Sequence, residues 1–283
     1  MRRENLILIA DGGSTKTSWC LKCKSGVLKM FTTSGINPSV QSVDEIEKVF
    51  VEQLLIHIPN VRNVSGIFFY GAGCTPQRSS IVKDVFVDIG FSQTEILIES
   101  DILGAAKAVC GNTPGVVGIL GTGSNSCRYD GEKIVDNTPS LGFILGDEGS
   151  GAHIGKRLVS DCLKGVLSER LSNIFFKETK LNVPLIIQKV YREPTPNRYL
   201  ADLSRFCVNH LDEQEIILLL VECFEQFFRR NILRYDNPSG IVHLVGSIAS
   251  VYKNQVEEAA SRCSLKVGHV IKSPIDGLIE NLS

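Results

Sequence analysis

The apolar positions fall into short runs separated by glycine-rich turns. The first run, Leu6-Ile7-Leu8-Ile9-Ala10, is unbroken and ends in Asp11-Gly12-Gly13. A continuous apolar run of that length suits a strand buried on both faces. The segment that follows, Lys16-Thr17-Ser18-Trp19-Cys20-Leu21, predicts a second strand rather than a helix, so the glycines form a hairpin turn. Over Ser42–Ile58 the apolar positions Val43, Ile46, Val49, Phe50, Leu54 and Ile58 share one helical face. A buried strand at Gly66–Tyr70 closes with Gly71-Ala72-Gly73, and a helix over Ser79–Ile89 and a strand over Thr94–Ile98 come next. Glu99-Ser100-Asp101 then opens a helix of small residues, Ile102–Val109.

Gly111-Asn112-Thr113-Pro114-Gly115 punctuates the chain and marks a domain boundary. The segment after it, Val116–Leu120 followed by Gly121-Thr122-Gly123-Ser124-Asn125, echoes the opening pattern of apolar strand, glycine turn and polar strand. From Gly146 onward the pattern becomes mostly helical, with Asp212 placed to cap a long helix reaching about Tyr235. A strand at Ile241–Val245 meets Gly246-Ser247-Ile248-Ala249, and a short strand near Val267–Ile271 precedes a terminal helix from Pro274. The βββαβα order in each half predicts an α/β fold with one mixed sheet per domain. The expected domains are 1–110, completed by the terminal helix 274–283, and 111–273 with helical additions.

Composition narrows the function classes. The chain has 283 residues, 43% apolar and 22% charged, with a formal net charge of -1. That balance supplies no bulk basic field, so neither nucleic acid nor a membrane surface is an expected partner. No apolar stretch approaches the roughly 18 residues of a membrane span. Arg2 and Arg3 precede Leu6–Ala10, but that run is too short for a signal segment and Asp11 interrupts it, so the expected location is the cytoplasm. Nine cysteines, an odd number scattered through apolar segments, suit reduced buried thiols. Cys20 and Cys23 form a CxxC, but in a strand positions i and i+3 point to opposite faces. Trp19 in the same strand suits the core better than an exposed sugar platform.

The turns carry the candidate chemistry. Gly12 and Gly13 can take a positive φ and leave room for an anion, Ser14 and Thr15 add donors, and Lys16 adds charge. Asp11 would repel a phosphate but could hold a Mg²⁺ that bridges to one. A plain hairpin turn capped by an Asx interaction fits the same residues. Gly121-Thr122-Gly123-Ser124 repeats the donors without an acid. Neither turn is a GxxxxGK[ST] loop, and no GxGxxG fingerprint occurs, since Ser126 follows Gly121 and Gly123 and Pro76 follows Gly71 and Gly73 at the third glycine position. Gly246 and Ser247 leave space for a flat ring or a ribose, or simply pack a helix against a strand. Asp101 follows a strand and starts a helix; it suits a general base that takes a hydroxyl proton, or an N-cap. Asp147 and Glu148, in Gly146-Asp147-Glu148-Gly149-Ser150-Gly151, suit sugar hydroxyls or a cap for the helix near Gly151. Asn37, in Ser34-Gly35-Ile36-Asn37-Pro38-Ser39, is a turn residue or a ligand contact.

Taken in order, Asp11–Thr17, Glu99–Asp101, Gly121–Ser126, Gly146–Gly151 and Gly246–Ala249 resemble the BadF/BadG/BcrA/BcrD-type ATPase family, and within it the N-acetylglucosamine kinases. The resemblance spans residues 6 to about 250. It implies two RNase H-like domains of the actin/hexokinase type with an interdomain ATP cleft, and a homodimer. It also implies ATP and Mg²⁺ as cofactors and an amino sugar as substrate, phosphorylated at its 6-hydroxyl. By the family pattern Asp11 positions the metal, Gly12–Lys16 and Gly121–Ser124 meet phosphates, and Gly246 and Ser247 lie by the adenosine. Asp101 is then the base, and Asn37, Leu141, Gly142 and Asp147 line the sugar site. The chain departs from the pattern at Ser140-Leu141-Gly142, where those kinases carry Gly-Trp-Gly. A second reading from the same family is an ATPase that activates a partner enzyme through a shared iron–sulfur cluster, for which Cys127 and Cys162 fall in the appropriate half.

Overall fold

A computed structural model of the chain describes residues 5–281. Arg2, Arg3 and the last two residues of the expected terminal helix lie outside the described residues. The chain divides into two compact units. One runs to Thr113 and includes Gly131–Lys133 and the segment from Ser273; the other holds Pro114–Asp130 and Ile134–Lys272.

The first unit is built on a five-stranded sheet of β1 (Leu6–Gly12), β2 (Lys16–Cys23), β3 (Gly26–Ser34), β4 (Val64–Gly71) and β5 (Glu95–Ser100), in the order β3-β2-β1-β4-β5. β1 pairs antiparallel with β2 and parallel with β4, and β4 pairs parallel with β5. β1 is apolar from Leu6 to Ala10 because both faces are covered there. Leu8 and Ala10 join one cluster with Trp19, Phe50, Phe69 and Phe86, while Ile9 joins a second cluster with Tyr70, Ile275 and Leu278. Trp19 is fully buried and donates its indole N–H to Thr33 Oγ1 at 2.9 Å, as a core tryptophan must. Cys20 and Cys23 fall in the two opposite clusters, as strand alternation requires.

Helices α1 (Val43–Val49), α2 (Ser79–Phe86) and α3 (Asp101–Cys110) cover this sheet. Ser42 opens α1 with a capping box, in which its hydroxyl and the Glu45 carboxylate each accept the other residue's backbone N–H. The regular helix is shorter than its apolar period suggests, because it widens into a π-turn at Phe50–Leu54 and tightens into a 3₁₀ turn at Leu55–His57.

The second sheet comprises β6 (Gly115–Leu120), β7 (Ser124–Tyr129), β8 (Ile134–Thr138), β9 (Ile241–Val245) and β10 (Lys266–Ile271), ordered β10-β9-β6-β7-β8. Its strand directions repeat those of the first sheet. Each unit is therefore an RNase H-like α/β domain. Helices α4 (Gly142–Leu145) and α5 (Gly151–Leu163) follow β8. The helical additions are α6 (Glu169–Thr179), α7 (Val183–Tyr191), α8 (Pro196–Leu203), α9 (Arg205–Asn209) and α10 (Gln214–Phe227). α11 (Ser247–Val251) and α12 (Lys253–Arg262) complete the unit, and α13 (Ile275–Asn281) packs on α3 in the first one.

Asp212 does not cap α10. Glu213 occupies the cap position with extended backbone and no capping side-chain bond, and its carboxylate pairs instead with Arg170. The Glu215 carboxylate is likewise drawn away, accepting the N–H and hydroxyl of Ser168. Among the described residues no helix is long and apolar enough to cross a membrane.

Candidate functional site

The parallel strands of the first unit end together. Gly12 of β1 is level with Gly71 of β4, and Gly71 with Ser100 of β5. Asp11 is thus the penultimate residue of β1, and Asp101 is the first residue beyond β5. Two strand spacings, about 10 Å, separate the strands that carry the two acids. Asp101 is not the helix cap. Ser100 fills that role, accepting the Leu103 N–H at 3.4 Å, while Asp101 Oδ1 accepts the neighbouring Ile102 N–H at 2.8 Å.

Asp11 Oδ2 accepts the Ser273 hydroxyl proton at 2.9 Å. Burial, reinforced by the nearby Asp101 charge, pushes the Asp11 carboxyl up to about 6, against the opposing pull of Ser273 and Lys16. A carboxylate left short of positive charge beside a second acid fits a hard divalent cation, and the oxygen donors suit Mg²⁺. Among the described residues no three His, Cys, Asp or Glu side chains gather as a metal cage. An ion at Asp11 would then take its remaining ligands from water and a phosphate, the usual coordination for Mg²⁺.

The turn after Asp11 is closed by the Gly13 N–H on the Lys16 carbonyl at 3.0 Å and braced by the Gly35 N–H on the Thr15 carbonyl at 3.1 Å. Neither Gly12 nor Gly13 uses a left-handed φ, contrary to the sequence expectation. Gly12 is needed for close packing, since a Cβ would sit 2.7 Å from the Phe69 ring. Asn37 is tied to the turn: its Nδ2 donates to Ser14 Oγ at 2.7 Å and its Oδ1 accepts the Ser39 N–H at 2.9 Å. Thr15 and Lys16 are exposed.

In the second unit the Gly121 N–H bonds the Gly123 carbonyl at 2.9 Å, making a tight turn between β6 and β7. The loop 147–152 clasps this turn. Asp147 Oδ1 accepts the Ser124 N–H at 3.0 Å, the Gly151 N–H meets the Gly121 carbonyl at 2.8 Å, and the Ala152 N–H meets the Thr122 carbonyl at 3.1 Å. Asp147 is buried with a left-handed φ of 56°. It does not cap α5; Ser150 does, accepting the His153 N–H at 3.1 Å. Glu148 is held by Asn231 and Arg230. Gly246 has φ 123°, and a Cβ there would overlap the Leu120 carbonyl, so this glycine sits directly against the end of β6. Ser247 and Leu141 are exposed, and Leu141 and Gly142 both adopt left-handed backbone where α4 begins.

The structure thus gathers Asp11–Lys16, Asn37 and Asp101 on one sheet edge. It gathers Gly121–Ser124, Asp147 and Gly246 on the equivalent edge of the other sheet. Cys127 is fully buried in β7, and burial pushes the Cys162 thiol in α5 up to about 11.

No known protein-family profile matches the chain. A solved structure of a candidate N-acetylglucosamine kinase from Porphyromonas gingivalis is 41% identical, with a TM-score of 0.93 over 97% of this chain and 98% of its own. The chain belongs to the N-acetylglucosamine kinase family. A family relative from Clostridium acetobutylicum, an N-acetylmuramic acid/N-acetylglucosamine kinase, is 26% identical over 209 residues, which is 69% of this chain and 67% of that protein. A candidate N-acetylglucosamine kinase from Chromobacterium violaceum shares the fold at 19% identity, with a TM-score of 0.77 over 99% of this chain and all of its own.

Some residues of this family member's site escape a reading by motif. Ser273 reaches Asp11 across 262 positions, with no local pattern to announce it. His153 supports the 147–152 loop, and its only sequence signal is its position three residues after a capping serine.

Proposed function

We propose that the chain is an ATP-dependent sugar kinase that phosphorylates an amino sugar, N-acetylglucosamine, at its 6-hydroxyl. The observation that carries this reading is the pair Asp11 and Asp101 at one sheet edge, beside a glycine-containing turn. Binding a nucleotide alone would need only the turn.

In this reading the backbone N–H groups and hydroxyls of Gly12–Lys16 and Gly121–Ser124 serve nucleotide phosphates. Asp11 holds Mg²⁺, which neutralises charge on the phosphates when bound. Gly246 admits the adenosine beside Ser247. Asn37, Leu141, Gly142 and Asp147 meet the sugar. Asp101 accepts the proton of the attacking hydroxyl as its oxygen bonds to the γ-phosphorus, and the bond from that phosphorus to the bridging oxygen breaks to release ADP. The proton then leaves Asp101 for water.

An ADP-release assay with Mg²⁺ across N-acetylglucosamine, N-acetylmuramic acid, glucosamine and glucose tests the assignment. Turnover that depends on an acetylated amino sugar supports it. Turnover indifferent to any sugar, or undiminished by Asp101→Asn, contradicts it.

A further inference from the structure

The clasp on the second turn depends on a histidine that neither turn motif includes. Gly149 has φ 72°, and a Cβ there would lie 2.9 Å from the Phe227 Cβ and 3.2 Å from Leu120 Cδ2. Its N–H is therefore sealed in the interior and needs a protein acceptor. That acceptor is His153 Nδ1, at 3.0 Å. The same residue donates its own N–H to Ser150 Oγ at 3.1 Å, so His153 is tied to the loop twice.

Acceptance at Nδ1 requires an unprotonated nitrogen there and assigns the ring proton to Nε2. The surroundings keep the ring neutral: burial pushes it down to about 4. Lys156, Arg157 and Arg230 act in the same direction, and Glu148 opposes them. A leucine or phenylalanine of similar size could fill the space, but it would leave the Gly149 N–H without a partner.

We propose that His153 is a positioning residue for the Gly121–Ser124 turn, holding Gly149 so that Asp147, Gly151 and Ala152 keep their three hydrogen bonds to that turn. The consequence for nucleotide affinity rests on the kinase reading above; the consequence for loop order does not.

Two variants separate the acceptor from the bulk of the ring. His153→Leu keeps volume and removes the acceptor, while His153→Asn keeps an acceptor atom near the Nδ1 position. In His153→Leu, amide hydrogen exchange across 121–124 and 147–151 is expected to rise at least about tenfold, since local opening governs exchange. The KM for ATP is expected to rise by about tenfold, with kcat changed less. His153→Asn should return both toward the wild type. Unchanged exchange at 121–124 in a folded His153→Leu protein overturns the proposal, as does a His153→Asn protein no better than His153→Leu. Should His153→Leu fail to fold, His153→Gln replaces it. Its amide lies one carbon further out, so 121–124 should exchange faster than in His153→Asn, and equal exchange overturns the proposal. Absence of sugar phosphorylation in the wild type would remove the kinase reading and leave the exchange comparison standing.

Discussion

The two units repeat one strand order and place different chemistry at equivalent strand ends. In the first, Gly12, Gly71 and Ser100 are level, with Asp11 just before that line and Asp101 just after it. In the second, β6 ends at Leu120 and β10 at Ile271, and the residues at the corresponding positions are Ile119 and Lys272. Both sheets offer a three-residue turn rich in backbone donors, at 13–15 and 121–123. Only the first carries acids at these two strand-end positions. The second surrounds its turn with a clasping loop, whose acid, Asp147, accepts a turn N–H through Oδ1. A fold used twice thus delivers glycine turns twice and a pair of strand-end acids once.

Substitutions can break that division, beginning with the largest effect. Asp101→Asn should lower kcat by about 10²–10⁴-fold, the range for loss of a general base, with little change in sugar KM. Steady-state kinetics on both substrates decide this.

Asp11→Asn should also remove activity, and it should do so while stabilising the apo protein. The Asp11 carboxyl is raised from 3.8 to about 6 in the folded state. Its contribution to stability is therefore fully present below 3.8 and is lost as pH rises through 6. At pH 8 the variant should melt higher by about 2–5 °C, and the gain should vanish near pH 3.5. Calorimetry at the two pH values tests the sign.

Gly246→Ala combines a left-handed φ with overlap on the Leu120 carbonyl, and should cost about 2–4 kcal/mol of stability. Gly12→Ala, on ordinary backbone and facing the edge of a ring, should cost about 1–3 kcal/mol. Equal losses would mean that the two turns are equally constrained, against the comparison. Asn37→Ala removes two side-chain hydrogen bonds, to Ser14 Oγ and from the Ser39 N–H, so denaturant unfolding should show a loss of about 1–2 kcal/mol.

Much of this architecture is legible in the sequence where physics is local. β1 announces itself because a strand covered on both faces gives an unbroken apolar run, Leu6–Ala10, and α3 because small residues follow an acid at a strand end. Asp101 was legible as a strand-end acid, though Ser100 takes the cap that Asp101 alone could have filled. Other features depend on distant groups. The π-turns at Phe50 and Phe228 leave the apolar period unbroken, so nothing in the pattern marks where regular helix stops. Asp212 is not the cap because the helix begins at Gln214, one residue later than a cap at Asp212 requires, and Glu213 takes the cap position. The glycines at 12 and 13 suggested unusual torsions, whereas at Gly12 the constraint is a phenylalanine from another strand. Ser273 could not be assigned to Asp11 before the terminal segment was seen to return to the first unit.

The most direct test is identification of the product formed from ATP, Mg²⁺ and N-acetylglucosamine by phosphorus NMR and mass spectrometry. The account predicts stoichiometric ADP and N-acetylglucosamine 6-phosphate, both lost in Asp101→Asn. Inorganic phosphate released at the same rate with and without the sugar would contradict it.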